Sequence, residues 1–537
     1  MKVLRILALV ILAIIIYLPL AGLVSKLVAL PNLFELSKEL IQDPAIGHII
    51  RFTYTQAFIS ALISLVVGLP AAYFFSHYNF KGKKFIRNLT MIPFILPSIL
   101  VVLAMIVYYG QQGFFSRTFN TGTFIYGYVG IIFAHVFYNF SLSIRIVGGS
   151  WEKLNEKLTE SAYVLGDSKL KAFFRIELPL LWPSIAYSWL LAFLYSSLSF
   201  AIVLVFGGVS YNTLEVYIYT MTRRLQMDRA HLLAFVQLLI SFFFILIVNG
   251  VSKRTDKVNK AFTISRARPL CLERRKLIKI VLVLYFALLL ILFGGPLFSL
   301  FWRSLAPKGD SVGISLDNYH SLFGSRVERT LGTPLWQVFV NSLLLSSVSS
   351  LIAVSLSYVL ARYYPKLRPF FLVPLGVSMM SYGFGVLVTL KNWVPTPILM
   401  LFTQIFITFP VVYSIVSLGI EEINPEYRLA ASTLGSSESE ITRRIYLPLL
   451  RPALSSAFAY GMALSLGDLT GVMLVGEGQF VTFTVALYRL IGHYSFPEGT
   501  ALGTLVSFLF IGLFILIESG GGEKSYAKDR PSSKKLS

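Results

Sequence analysis

The side chains able to do chemistry are few and far apart. Phosphate-binding loops need Gly-x-x-x-x-Gly-Lys-Ser/Thr, because clustered amides cradle the phosphates while the Lys and the hydroxyl reach the nucleotide and its Mg²⁺. Gly82-Lys83-Lys84 lacks the hydroxyl residue, and in Gly522-Glu523-Lys524-Ser525 a Glu separates Gly from Lys. No His-Glu-x-x-His, no Cys pair and no Gly-x-Ser-x-Gly elbow occurs, and Cys271 is the single cysteine. Hydrolase, metalloenzyme and disulfide-framework readings therefore lack their residues. The chain is expected to be no enzyme and to bind no metal or cofactor of its own.

Two polar constellations inside apolar stretches remain. Asp468, within Gly467-Asp468-Leu469-Thr470-Gly471, is a lone carboxylate. Ionisable residues are costly in a membrane and mark pathways or buried pairs. It could offset a positive charge on a cargo, or hydrogen-bond a neighbouring helix near the outer interface; both readings stay open. His135, Tyr138 and Asn139 fall at i, i+3 and i+4, one face of a helix. Such a stripe more often joins helices than lines a pathway.

The elements holding these residues follow from composition. Of 537 residues 55% are hydrophobic and 14% charged, with mean hydropathy +0.71, where soluble domains carry about 25% charge. An all-α polytopic membrane protein is implied, since helices satisfy their own backbone where water is absent. Twelve stretches are long enough: Val3–Val24, Thr55–Ser76, Leu89–Tyr109, Tyr126–Ile146, Ser184–Phe206, Ala230–Val251, Ile280–Trp302, Gln337–Ala361, Pro369–Leu390, Ile398–Ile420, Pro452–Val475 and Thr500–Glu518. With both termini cytoplasmic, 34 of the 47 Lys and Arg lie inside and 13 outside, as the positive-inside rule asks. Residues 253–279 hold ten of them and form a basic cytoplasmic linker between a first half, 1–252, and a second half, 280–519, with a tail at 520–537. That charge serves topology and anionic lipid rather than nucleic acid.

One repeat connects the halves. Glu160-Ser161-Ala162, Gly166 and Ile176-Glu177-Leu178-Pro179 recur 269 residues later as Leu429-Ala430-Ala431, Gly435 and Ile445-Tyr446-Leu447-Pro448. Six spans per half is an even number, so both copies enter the membrane in one orientation, with a pseudo-two-fold axis along the membrane normal and a pathway between halves. Each copy lies between spans four and five of its half, and reads as short helices on the cytoplasmic face. Small residues let a partner approach, and two such loops suit a dimeric partner. The same offset pairs Asp468 with Ser199.

This doubled pattern resembles the permease subunits of binding-protein-dependent ABC importers of type I, whose motif is Glu-Ala-Ala, three residues, Gly, nine residues, Ile-x-Leu-Pro. Ser161 and Leu429 depart from it, so no invariant carboxylate is implied. The fused double form is similar to the iron(III) and thiamine branches. Gln56–Leu62, Tyr109–Gly113, Ala134–Asn139, Leu464–Asp468 and Ile491–Tyr494 resemble the thiamine permeases, although Phe140 stands where a Pro is usual. The resemblance implies alternating access for thiamine or its phosphates, with iron(III) as the alternative cargo. It further implies an inner-membrane location, coupling loops seated on a separate dimer of ATPases that hold ATP and Mg²⁺, and a soluble substrate-binding protein outside. An ion-coupled secondary transporter is the rival from another class; it would need no repeated docking loop.

Overall fold

The structure is a computed structural model describing residues 2–90, 92–121, 124–261, 270–271, 276–307, 313–476, 478 and 480–520. Part of the basic linker, at 262–269 and 272–275, and the tail at 521–537 lie outside the described residues. The described chain is helical, apart from a two-residue parallel bridge in which Tyr78–Asn79 pairs with Leu270–Cys271.

Among the described residues ten helices are long and apolar enough to cross a membrane, and eleven if Pro365–Gly376 and Met379–Leu390, bent by 95°, count as one. The sequence expectation of about twelve is close to this count. The difference lies at Pro452–Val475, which forms the helix Leu447–Gly467, a break at Asp468, and the short helix Thr470–Val475. Arg451 and a run of Ser, Gly and Ala make that helix less apolar than its counterparts. The stretch at Leu89–Tyr109 is likewise broken, into Lys83–Leu89, Ile92–Ile95 and Ser98–Tyr109. Pro93 and Pro97 account for it, since each lacks a backbone donor and clashes with the preceding turn.

The helices form two compact units, one of residues 1–26, 331–486 and 505–537, the other of 27–330 and 487–504. The halves counted along the chain are sequence repeats, whereas the packed units exchange first spans. Arg5–Val28 packs with second-half helices, and Lys279–Ser304 with first-half helices.

Each unit has the same three-helix centre. In one, Pro44–His77 packs on Tyr128–Trp151 and Leu178–Ser197 through Ala57, Ser60, Ala61, Ser64, Gly68 and Ala72, all fully buried or nearly so. A Cβ at Gly68 would lie 2.5 Å from the Phe140 carbonyl, so only Gly permits that approach. In the other, Leu335–Tyr363 packs on Thr396–Glu421 and Leu447–Gly467 through Ser342, Ser346, Ser349, Ser350 and Ala353. Small residues let helices touch closely where no hydrophobic force distinguishes lipid from protein.

Four π-helical turns, Ala13–Tyr17, Phe173–Glu177, Leu290–Gly294 and Thr442–Tyr446, each end two residues before a proline: Pro19, Pro179, Pro296 and Pro448. A helix proline leaves the carbonyl four residues back without its donor. At Pro19 that carbonyl is Ile15, which accepts from the Tyr382 hydroxyl. At Pro296 it is Leu292, which accepts from the Tyr109 hydroxyl at 2.7 Å.

Candidate functional site

The two repeated loops are built alike, atom for atom in the backbone. In the first, the Asn155 side chain accepts the Lys157 N–H and starts the helix Glu156–Val164. The helix closes where Gly166 N donates to Tyr163 O at 3.0 Å and Asp167 N to Ala162 O at 2.9 Å. Ser168 then caps the next helix by accepting the Lys171 N–H. In the second, Asn424 caps Pro425–Thr433, Gly435 N donates to Ser432 O at 3.0 Å, Ser436 N to Ala431 O at 3.0 Å, and Ser437 caps again. These are helix ends of the kind that close through a left-handed residue. Gly166 and Gly435 supply it with φ of 90° and 81°. A Cβ there would meet nothing within 4 Å, so Gly is present for its backbone angle, and the close approach expected from sequence is not made within this chain.

The motif residues divide by exposure. Ala162, Ile176, Leu178 and Ile445 are buried or partly buried, while Glu160, Ser161, Ala430 and Ala431 are largely exposed or partly so. Pro179 and Pro448 stand in the first turn of Leu178–Ser197 and Leu447–Gly467. At its turn each loop exposes apolar side chains: Val164 is 87% and Leu165 85% exposed, and Leu434 85%, with Leu429 at 66% in the preceding helix. The turn thus presents a hydrophobic knob on a tightly hydrogen-bonded base.

The anchoring of the loops differs. Arg362, with 5% of its side chain exposed, donates to the Tyr358 hydroxyl at 2.6 Å, Thr442 Oγ1 at 2.7 Å and Glu438 Oε2 at 2.7 Å, and lies 4.0 Å over the Tyr446 ring. Arg428 bonds the other Glu438 oxygen at 2.8 Å. Burial pushes the Glu438 carboxyl up, but the Arg428 hydrogen bond and the Arg428 and Arg362 charges outweigh it and hold it below the ordinary value. The first loop uses Trp151 Nε1 donating to Glu177 at 3.0 Å, and Asp167 paired with Lys171 and Arg175. Both halves share one further tie: Arg87 to Glu152 at 3.2 Å and Arg368 to Glu421 at 2.9 Å.

The pathway candidates are held within their own units. His135 Nδ1 lies 3.3 Å from Ser60 Oγ, and Asn139 donates to Ser196 Oγ at 3.0 Å. Tyr138 donates at 3.1 Å to the carbonyl of Leu96, which the Pro97 break leaves outside any helix. Asp468, 6% exposed, accepts from Gln404 Nε2 at 2.9 Å and from Gly471 N, so it caps Thr470–Val475. Ser199 stands half-buried in the corresponding break between Leu178–Ser197 and Ala201–Phe206. The offset of 269 that pairs Ser199 with Asp468 also pairs His135 with Gln404.

Sequence reasoning missed Glu215, 1% exposed and bonded by Gln237 Nε2 at 3.3 Å, together with Arg362 and both Arg–Glu ties. Glu152 and Glu421, Asn155 and Asn424, and Ser168 and Ser437 all sit 269 residues apart. Extending the repeat search to polar residues would have found Glu152, Glu421 and the caps, but not Glu215 or Arg362.

A family model described as the binding-protein-dependent transport system inner membrane component matches residues 64–257 and 346–519. The chain is 25% identical over 519 residues to the thiamine transport system permease protein ThiP of Haemophilus influenzae, covering 91% of this chain and 93% of that one. It is 26% identical over 503 residues to the protein of the same name from Escherichia coli, covering 89% of each. A probable sulfate transport system permease protein of Prototheca wickerhamii is 33% identical over 178 residues, which is 33% of this chain and 69% of that one. The two family segments take in more than half of the chain, and each contains one of the two capped loops. The chain therefore belongs to the family of binding-protein-dependent transport system inner membrane components, and is a membrane transporter subunit rather than an enzyme.

Proposed function

We propose that this chain is the translocation subunit of an ATP-driven importer for thiamine or its phosphates. The observation that carries the coupling part is the pair of matching loops, each a rigid capped helix with an apolar knob, Val164-Leu165 and Leu434, open to a partner. Apolar surface of this kind on a hydrogen-bonded base fits a protein interface. Its duplication fits a dimeric ATPase, which supplies the ATP and Mg²⁺ chemistry for which this chain has no loop. Support for thiamine comes from relatives bearing that name over about nine-tenths of the chain.

In this reading both termini and both loops face the cytoplasm, and a soluble binding protein delivers cargo on the other side. Closure of the ATPases draws Glu156–Val164 and Pro425–Thr433 together. The Arg87–Glu152 and Arg368–Glu421 ties pass that movement to the broken helices that follow them. Asp468, His135, Tyr138 and Asn139 act as positioning residues, keeping helix breaks and helix pairs in place.

The test is ATP hydrolysis by the reconstituted permease, ATPase and binding protein. Thiamine-loaded binding protein is expected to stimulate it and iron-loaded protein is not. Stimulation by iron alone would transfer the assignment to that cargo. Uptake driven by a proton or sodium gradient without an ATPase would end the importer reading.

A further inference from the structure

A cavity of about 640 Å³ opens beside the helix Lys279–Ser304, within the unit formed by residues 27–330. Its walls are apolar, with Leu89, Ile92, Phe286 and Phe293 among them. Lys81 and Lys279 also line it. Phe80 packs against the cluster of Tyr78 and Leu282, which puts Lys81 near the Lys279 end of the slot. Neither lysine has an ion-pair partner among the described residues, whereas Lys83 close by is paired with Glu152 at 3.7 Å. Along one helix the lining runs from Lys279 to Leu297, about 27 Å at 1.5 Å per residue. One leaflet of the hydrocarbon core is about 15 Å deep.

The other unit carries larger side chains at two matching positions. The first spans of the two halves correspond at an offset of 277, from Ala13 to Leu290 and from Tyr17 to Gly294, the bounds of equivalent π-turns. The Tyr17 hydroxyl donates to Phe370 O at 2.6 Å, and the Arg5 guanidinium stacks 3.7 Å from the Tyr363 ring. Those side chains tie the second-half unit's first span to its neighbours. At the matching places the first half's unit has Gly294 and Leu282, and both face the cavity.

We propose that this slot is a binding site for one anionic phospholipid, its acyl chain lying against Phe286 and Phe293 and its phosphate meeting Lys81 and Lys279. Apolar walls alone would accept any lipid. Two unpaired cations at one end select a negative headgroup, and a leaflet rich in anionic lipid is where basic residues gather.

The test uses the full-length permease purified in detergent, with retained lipid counted by native mass spectrometry after exposure to phosphatidylglycerol or to phosphatidylcholine of the same chains. Retention of phosphatidylglycerol over phosphatidylcholine is expected by about tenfold, each near-surface cation contributing to the preference. The double substitution K81Q/K279Q is expected to erase that preference. Gly294→Tyr, which places in the slot the side chain that the other first span carries at this position, is expected to abolish retention of both lipids. A Cβ at Gly294 meets only the Leu290 side chain, at 2.8 Å, and an unchanged melting midpoint verifies folding. Equal retention of the two lipids by the native protein overturns the proposal, as does unchanged phosphatidylglycerol retention in K81Q/K279Q or in folded Gly294→Tyr.

Discussion

Replacing Arg362 by Ala tests whether the two loops are anchored by different means. The guanidinium makes three hydrogen bonds, to Tyr358, Thr442 and Glu438, and covers the Tyr446 ring. Stripping one partner from a fully buried ion pair costs about 3–5 kcal/mol, but Glu438 keeps its bond from Arg428 and about a third of its side chain is exposed. The loss is smaller, therefore: about 1.5–3 kcal/mol for hydrogen bonds to a charged group, with a cation–π contact of about 1 kcal/mol within the same range of uncertainty. A net value near 2–3 kcal/mol corresponds to roughly 30- to 150-fold in the local opening equilibrium. Amide hydrogen exchange over Pro425–Ile441 should accelerate by that factor, while Glu156–Ala172 stays unchanged. By the correspondence of Thr53 with Ser342, whose hydroxyls accept from Leu214 N and Phe483 N, the first-half counterpart of Arg362 is Tyr73. Tyr73 stacks on His77 at 4.3 Å and meets Trp151 edge-on at 5.4 Å, with no ionic network. Arg362→Lys should recover little, because a point ammonium cannot make the forked contacts. Equal acceleration in both loops, or none in either, refutes the reasoning.

Gly166→Ala and Gly435→Ala should each cost about 1–2 kcal/mol through the left-handed backbone alone, since the added carbon meets nothing; partner-coupled ATP hydrolysis and loop exchange read this, and Asn at either position should be milder. The Glu438 carboxyl is held below its ordinary value near 4.5, so its contribution to the second loop is fully present above that pH. It is lost as pH falls through the lower folded value. Exchange in Pro425–Ile441 should thus be flat from pH 7 to 5 once corrected for intrinsic rates, and rise only as pH falls below the ordinary carboxyl value; a rise near pH 6 would exclude Glu438 as its source. Asp468→Asn should preserve folding and assembly, because an amide oxygen still accepts from Gln404 and Gly471, whereas Asp468→Ala leaves both buried donors unsatisfied at a cost of about 1–3 kcal/mol. Loss of uptake in a well-assembled Asp468→Asn permease would instead place that charge on the cargo's route.

Legibility in the sequence followed the range of the forces involved. Apolar length and the 269-residue repeat announce the membrane helices and the paired loops, because both depend on neighbours along the chain. Even the turn at Gly166 and Gly435 is local, a matter of one backbone angle. Asp468 was readable as a buried acid that could bond a neighbouring helix, but its partner there, Gln404, is 64 residues away and could not be named. Arg362 was invisible for the same reason: Thr442 and Glu438 are 80 and 76 residues on. The stretch Pro452–Val475 reads as one apolar run, whereas one carboxylate, Asp468, and its Gly471 amide divide it.

The exchange of first spans has a polar cause as well as an apolar one. An apolar helix in lipid has little reason to prefer one neighbouring bundle or one register, since lipid tails are as apolar as its own side chains. Pro19 and Pro296 change this by each freeing one carbonyl, which in hydrocarbon must find a donor or cost free energy. The donors are Tyr382 and Tyr109, each on a helix of the other half of the chain. A hydroxyl at a single height satisfies a carbonyl at a single height, so the pairing specifies both the partner bundle and the axial register. Close approach supports it, for a Cβ on Gly385 would lie 2.6 Å from the Pro19 carbonyl, and one on Gly295 2.6 Å from the Tyr108 ring. Proline, π-turn, tyrosine and a packing glycine thus recur as one device in both units. The device explains why helices far apart in sequence assemble in one way where hydrophobicity gives no direction.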